Sequence, residues 1–444
     1  MSLLATGACA PARPALDVAL PVDPGFGGGG GAATPARWWV ALADPTLDRL
    51  ITQALAGSFD LRVAWTRLRQ AEASARAAGA AGRPSLDASV GGSLDAAGSG
   101  RSADGDAGLS LGLAASYEID LWGGIDASRE AAARSARASA FDVQAAAITV
   151  AGEVALAWYD LAAAEESAAL LARQVEASQA TLDLVARRVE AGLAPETDRT
   201  SQQQAVEALR GQQATAATQI ATLQHRLNAL LGRSPRSALP PRTGLVALPA
   251  QPATGIPSEV LRRRPDVQAA WARIEAADRS VATAVAERYP RLSLSARLSS
   301  AAPFEGWLAS LAASLVAPLI DGGRRAAEVE RARAQLAERV LAYQQAVLTA
   351  AVDVEDALAK EAGQVALVAS LDRQLELSAS TLDSARARYQ HGLGDYLRVL
   401  DAERSHQALE RSRVSARQGL LEARIGLYRA LAGGFDLPKP AASS

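Results

Sequence analysis

In four short stretches the chain alternates apolar and polar residues one by one. In "PSLDASVGGSLD" (84–95), Leu86, Ala88, Val90 and Leu94 fall on one side, with Ser85, Asp87, Ser89, Ser93 and Asp95 on the other. In "GLSLGLAASYEIDLW" (108–122) the apolar set is Leu109, Leu111, Leu113, Ala115, Tyr117, Ile119 and Leu121. The pattern returns with Leu292, Leu294, Ala296 and Leu298, then with Trp307, Ala309, Leu311, Ala313, Leu315 and Leu319. A period of two predicts strands with one apolar and one polar face, over about 84–95, 107–122, 290–299 and 307–319.

After each strand pair comes Gly-Gly (Gly123-Gly124, Gly322-Gly323) and then a tract without proline, 125–190 in one case and 324–390 in the other. At ~1.5 Å per residue, about 65 helical residues span roughly 100 Å. Both tracts close on nearly the same words, "TLDLVARRVEAGL" (181–193) and "TLDSARARYQHGL" (381–393). A helix that stops at Gly-Leu predicts a hairpin with its tip at Gly192 or Gly392. Thr197 or Asp198, and Asp395, are residues suited to start the return helices.

The tip repeat belongs to a larger one. "DLRVAWTRLRQA" (60–71) aligns with "DVQAAWARIEAA" (266–277), and "RPSLDASV" (83–90) with "YPRLSLSA" (289–296). "GGIDASREAAARSARA" (123–138) matches "GGRRAAEVERARAQLA" (322–337), and "RLNALLG" (226–232) has a counterpart in "GLYRALAG" (426–433). The order helix, strand, strand, long helix, return helix is the same in both halves, so one architecture is duplicated. The expected divisions are a tether over 1–36, a first repeat over 37–235 and a linker over 236–256. A second repeat follows over 257–434, then a tail over 435–444. One helix is expected over 44–80 less its ends, and one over 257–287. Trp38, Trp39, Trp65 and Trp271 fall in helical or entry segments and are expected in the core, whereas Trp122 and Trp307, at opposite ends of strands, suit interfacial anchors.

Four strands cannot close a membrane barrel alone, because single-chain barrels begin at eight, and an open edge in lipid leaves backbone groups unsatisfied. Strands that meet lipid therefore require several chains to share one barrel. The alternative on the residues alone is a soluble sandwich or a pair of capping hairpins. The long helices also fit a coiled-coil scaffold, but small residues spread around them, as in "AAARSARASA" (131–140), favour close neighbours on two sides.

Composition removes other classes. Lys and Arg total 46 against 48 Asp and Glu, with no basic stripe, so nucleic acid is not an expected partner. A single cysteine, Cys9, excludes an internal disulfide framework, and three histidines (His225, His391, His406) are too scattered for a His-based metal site. No catalytic spacing is present, so neither an enzyme nor a cofactor is expected. No run of 18 apolar residues marks a membrane-spanning helix. At the N-terminus, Gly7-Ala8-Cys9 resembles the end of a lipoprotein cleavage site, though no basic region or complete apolar stretch precedes it. Lipidation at Cys9 (which would need a trimmed or misassigned start) and an ordinary terminus both stand. Residues 10–36, including "GFGGGGG" (25–31), read as a flexible tether and not a phosphate loop.

Five stretches in order carry a family resemblance: "RWWVALADPTLDRLI" (37–51), "YEIDLWGG" (117–124), "LRRRPDVQAAWARI" (261–274), "YPRLSLSA" (289–296) and "YQHGLGDYLRVLDAE" (389–403). Over about residues 37–434 the chain resembles the outer membrane efflux proteins, the TolC-like outer membrane factors, and within them the lipoprotein branch. The resemblance implies a mainly α protein with a β-barrel portion. Three chains would give a twelve-strand barrel in the outer membrane, four strands each, continuing into a twelve-helix periplasmic α-barrel. The implied role is a passive exit duct for drugs or other small toxic solutes. It would be driven by an inner-membrane pump of RND or ABC type through a periplasmic adaptor. The same duct serves type I protein secretion, and a cytoplasmic coiled-coil scaffold is the reading from another class.

The resemblance also implies a periplasmic gate at the hairpin tips. By position, Tyr389 and Asp198, beside Thr197, match a hydrogen-bonded pair that holds the closed state, and Asp401 matches an acidic ring facing the pore. Such a ring of three carboxylates binds cations and titrates upward. Two positions depart from the family pattern. An arginine often found two residues after the tip glycine is Gly394 here, and an acidic position three before Asp401 is Arg398, with Asp395 one turn earlier as a substitute. Without the resemblance, Asp395, Arg398 and Asp401 at i, i+3 and i+6 read as pairs along one solvated helix face.

Overall fold

The structure is a computed structural model that describes residues 25–29, 36–95, 106–241, 244–255, 257–300 and 306–437. A 3-10 turn over Trp38–Leu42 leads into α1 (Pro45–Gly57) and α2 (Phe59–Ala80). Then come β1 (Ser85–Asp95), β2 (Asp106–Ile119) and the helices α3 (Gly124–Glu190) and α4 (Glu196–Leu230). The second half runs α5 (Pro257–Arg263), α6 (Pro265–Ala286), β3 (Arg291–Ser300), β4 (Leu308–Val316), α7 (Arg324–Gln390) and α8 (Tyr396–Leu431). Both long helices are unbroken over 67 residues.

The expected first helix of each half is two helices. Between α1 and α2 the chain turns at Ser58, which is not helical (ψ 131°) and whose N–H closes α1 onto the Ala54 carbonyl at 2.8 Å. Between α5 and α6 it turns at Arg264, because the residue before a proline is driven out of the helical region by Pro265. The last strand stops at Val316, short of the expected 319, just ahead of Pro318.

The chain divides into two compact units, and each combines like parts of both repeats. One comprises Trp65–Asp142 with Asp266–Val347; the other contains Val143–Pro265 with Leu348 onward and the segment Pro21–Ala64. In the first unit the strands form one antiparallel sheet in the order β1-β2-β3-β4. The registers Ala88↔Leu113↔Leu298↔Ala309 and Tyr117↔Leu294↔Ala313 put the alternating apolar positions of all four strands on one face, while Leu308 and Val316 at the ends of β4 fall on the other. Ser89, Gly112, Ser299 and Ser310 lie on the other, with Asp87, Glu118, Arg291 and Arg297. The apolar face is uncovered in the single chain, with Leu311 84% and Leu86 71% exposed. Trp122 is exposed and stacked on Tyr289 at 4.7 Å, its Nε1 donating to the Pro290 carbonyl at 2.7 Å; Trp307 is exposed as well. Beside the sheet, α6 is tied to α3 by the ion pairs Arg134–Glu275 and Arg279–Glu130.

The core of the second unit gathers around Trp38 and Trp39, both fully buried, with Tyr428 stacked on Trp38 and Phe435 edge-on to Trp39. Asp44 caps α1 through Thr46 N and Leu47 N, and its other oxygen accepts from Trp158 Nε1 at 2.8 Å. One carboxylate thus fixes a helix start and its seat on α3. The other two tryptophans depart from expectation: Trp65 is half-buried and Trp271 exposed, its ring meeting Tyr343 edge-on at 5.4 Å. α3 carries one stretch apolar enough to cross a membrane by composition, and half of that stretch is buried inside the chain, as in a packed core helix.

Part of the expected tether is docked. Gly27 N donates to Glu355 Oε1 at 2.8 Å, Thr254 Oγ1 donates to the Gly28 carbonyl at 3.0 Å, and Phe26 packs on Val260, Val354, Leu427 and their neighbours. A single aromatic with two backbone hydrogen bonds anchors a segment that its glycine content alone marks as free. Cys9 lies outside the described residues.

Candidate functional site

At both hairpin tips the chain turns by the same hydrogen-bonded device. Gly192 and Gly392 each hold φ at +71°, a region open to glycine at little cost. Gly192 N bonds the Val189 carbonyl at 2.9 Å and Leu193 N the Arg188 carbonyl at 2.8 Å; Gly392 N and Leu393 N repeat this on Tyr389 (3.0 Å) and Arg388 (2.8 Å). These crossed bonds satisfy the last carbonyls of α3 and α7 and fix where each helix stops.

The return helices start differently. Asp395 caps α8, its Oδ1 accepting from Leu397 N at 3.2 Å. α4 has no side-chain cap: Pro195 occupies that position in an extended conformation. Thr197 and Asp198, expected as starters, already lie in the first helical turn, with Asp198 N bonded to the Pro195 carbonyl at 3.1 Å. The fixed φ of proline is preorganised for a helix entrance, which moves the start ahead of the polar pair. Asp198 lies near Asp395, and burial, followed by the Asp395 charge, raises its pKa above the usual carboxylate value.

Behind the tips Val185, Ala205, Tyr389, Tyr396, Val399 and Leu400 form one small core. Tyr389 and Tyr396 stand 5.6 Å apart at a 56° tilt, and the Arg188 guanidinium lies over the Tyr389 ring at 4.6 Å. Burial is the first cause raising the pKa of both phenols. The expected bond between Tyr389 and Asp198 is not made. The Tyr389 hydroxyl is buried and makes no close hydrogen bond among the described residues; its ring packs in the small core, and the nearby Arg188 charge opposes the upward shift of its pKa. The bond is found one turn away, where Tyr396 donates its hydroxyl proton to Gln202 Oε1. Gln202 is fully buried, and its Nε2 donates to both the carbonyl and Oγ of Ser178 at 2.8 Å. Close by, buried Glu403 accepts from Gln407, Thr181 and Arg386 at 3.2, 3.3 and 3.4 Å.

Asp395, Arg398 and Asp401 are exposed on α8, away from the face that carries Tyr396, Val399, Leu400 and Glu403. No ion pair joins the three among the described residues, so pairing along a helix face does not occupy them. At Gly394 an added Cβ would lie 3.2 Å from Arg388 Cβ and 3.3 Å from Tyr389 N. The turn therefore closes tightly where the family pattern has an arginine. Sequence reasoning missed Gln202, Tyr396 and Glu403. Tyr396 had a usable signal, an aromatic directly after a capping Asp; Gln202, inside "SQQQ" (201–204), had none. Among the described residues no group of three or more His, Cys, Asp or Glu is placed to hold a metal.

The family described as outer membrane efflux protein matches this chain over residues 50–233 and 256–433. The pyoverdine export outer membrane protein OpmQ of Pseudomonas putida is 34% identical over 91% of this chain and 89% of its own length. Outer membrane protein OprJ of Pseudomonas aeruginosa is 30% identical over 98% and 94%. The solved outer-membrane channel OprN superposes with a TM-score of 0.87 at 27% identity, covering 96% of this chain and 99% of that one.

Proposed function

The chain belongs to the outer membrane efflux protein family, and on that premise we propose that three copies close one duct through which a small solute leaves the periplasm. The observation that carries this reading is the sheet. Its alternating apolar positions share one uncovered face, apart from Leu308 and Val316 at the ends of β4, and β1 and β4 each leave an edge unpaired among the described strands. In lipid such edges must be closed, and three copies of four strands give a barrel of twelve, within the range of known outer-membrane barrels. Along α7, Leu341, Leu348, Val352 and Leu377 are exposed in the single chain and supply apolar surface for neighbouring helices.

The chain is an outer membrane efflux channel and works with adaptor and inner-membrane pump components. We assign it an RND-type or ABC-type pump, and a small solute as cargo on the strength of the pyoverdine export named for one relative. The tips are the gate in this reading. Exposed, unpaired Asp401 from three copies would form an acidic ring that favours cations at the entrance. Planar-bilayer conductance of the purified oligomer tests both parts. Discrete cation-selective channels are expected, with selectivity lowered in Asp401→Ala. A folded oligomer that never conducts sinks the duct, and unchanged selectivity in the variant removes Asp401 from the gate.

A further inference from the structure

We propose that Gln202 is the residue that locks the two hairpin tips together, acting through Tyr396, and that the Tyr389 hydroxyl and Asp198 have no share in the lock. The proposal rests on the tips being the gate. Three helices from both hairpins converge on this one carboxamide. Gln202 projects from α4, both of its Nε2 hydrogen bonds go to Ser178 on α3, and its Oε1 takes the proton of Tyr396 on α8. Gln202 is 0% and Tyr396 2% exposed, so water has no access to replace the bond. A buried donor or acceptor that loses its partner bears its full desolvation penalty, which sets the lock against separation of the hairpins.

Further from the tips, buried Gln174 of α3 also joins α8, donating to the Gln407 carbonyl at 3.1 Å and Glu410 Oε2 at 2.7 Å and accepting from Arg411 at 2.6 Å, so it holds the hairpins together behind the lock. The other links at the tips themselves are weaker. Arg188 reaches the Gln390 carbonyl at 3.4 Å in an exposed position, and Thr181 reaches Glu403 at 3.3 Å. Tyr389 gives its ring to the core, and its hydroxyl makes no close hydrogen bond among the described residues. The lock is also uncharged, so salt does not screen it as it would an ion pair.

The consequence is a reversed ranking of two tyrosines. Tyr396→Phe leaves Gln202 Oε1 unpaired and should shift the open-to-closed ratio roughly tenfold toward open, the worth of about one buried hydrogen bond. Gln202→Ala should do at least as much, and Tyr389→Phe should be silent. Gln202→Glu adds a readout that a merely structural role would not move. Ionised, it cannot donate to the Ser178 carbonyl, and its partner Tyr396 already feels the Glu403 and Asp198 charges, with Arg404 opposing them. Protonated, it restores both donor and acceptor. Its conductance should therefore start high at alkaline pH and fall back toward wild type on acidification, over a range set by a buried carboxyl whose pKa is raised.

The experiment is single-channel conductance of the four variants beside wild type. It is paired with electron-spin distance measurements between labels at Glu190→Cys and Arg398→Cys in a Cys9→Ser background, with labelled chains diluted among unlabelled ones. A longer or broader distance in Tyr396→Phe and Gln202→Ala, with Tyr389→Phe unchanged, supports the lock whether or not the oligomer conducts. Conductance failing in every sample while the distances respond would overturn the duct and spare the lock. Unchanged distances in Tyr396→Phe, or an opening in Tyr389→Phe, overturn the lock.

Discussion

The two hairpins can be compared residue for residue, because α3 and α7 have equal lengths and every position in one corresponds to a position 200 further on in the other. Their tips turn through the same crossed hydrogen bonds at the same φ. The interior has diverged. Where the first hairpin buries Leu161 completely, the second buries Glu361 and pairs it with Arg424 through two bonds of 2.6 and 2.8 Å. Arg424 also donates to the Pro249 and Ala250 carbonyls at 2.6 and 3.2 Å, so the pair holds the stretch between the repeats against α8. The first hairpin has Gln224 where the second has Arg424. Duplication preserved the turns and left the buried contacts free to specialise.

The sharpest way to break this asymmetry is to copy the first hairpin into the second. Glu361→Leu alone strands a buried guanidinium and should lower stability by about 3–5 kcal/mol. The double variant Glu361→Leu with Arg424→Gln should recover most of that loss, because a buried ion pair replaced by packed neutral groups is often close to neutral. Denaturant unfolding of the oligomer at fixed protein concentration measures both. If the double variant is no more stable than the single one, the Pro249 and Ala250 contacts matter more than the pair.

What the turns share was legible in the sequence. Gly-Leu at both tips, the period of two in four strands, and uninterrupted proline-free tracts each follow from local chemistry and survive in the structure. The two extra breaks, at Ser58 and Arg264, were harder to read. Pro265 announced the second in hindsight, but neither neighbourhood interrupts the apolar pattern. The interior behind the tips was the least legible part. Tyr389 lies where the resemblance put it, yet its bond is absent, because hydrogen-bond partners depend on packing across helices far apart in sequence. Gln202 and Tyr396 are 194 positions apart, and no local pattern links them.

Because the turns are alike, Gly192→Ala and Gly392→Ala should cost nearly the same, about 1 kcal/mol each, for forcing an L-residue to positive φ. Nothing lies within 4 Å of a Cβ added at either site, so the cost is in the backbone alone. A clear inequality in thermal stability between the two variants would show that the tips are not equivalent supports.

The helix starts after those turns differ, and the expected effects are smaller. Asp395→Ala removes the only side-chain cap of α8 and should cost about 0.5–1 kcal/mol, whereas Pro195→Ser should give α4 a cap that it lacks. The gain at Pro195 is reduced by the added freedom of the unfolded chain once proline is gone. Thermal midpoints of the two variants, run side by side, check whether the second tip depends on its cap and the first does not.

The smallest effect concerns pH. Burial and the Asp395 charge raise the pKa of Asp198 in the folded tip above its unfolded value. A raised carboxyl favours its protonated form, so its contribution to stability is complete below the unfolded pKa and is lost as pH rises through the folded one. The fold should therefore gain thermal stability on acidification. Asp395→Asn keeps a good capping residue and removes the charge, which should lower the Asp198 pKa while leaving the burial contribution in place. The rise in thermal midpoint between neutral pH and the upper carboxylate range should then be shallower in Asp395→Asn than in wild type. Parallel curves would mean that water screens the two carboxylates from each other, and that Asp198 answers to burial alone.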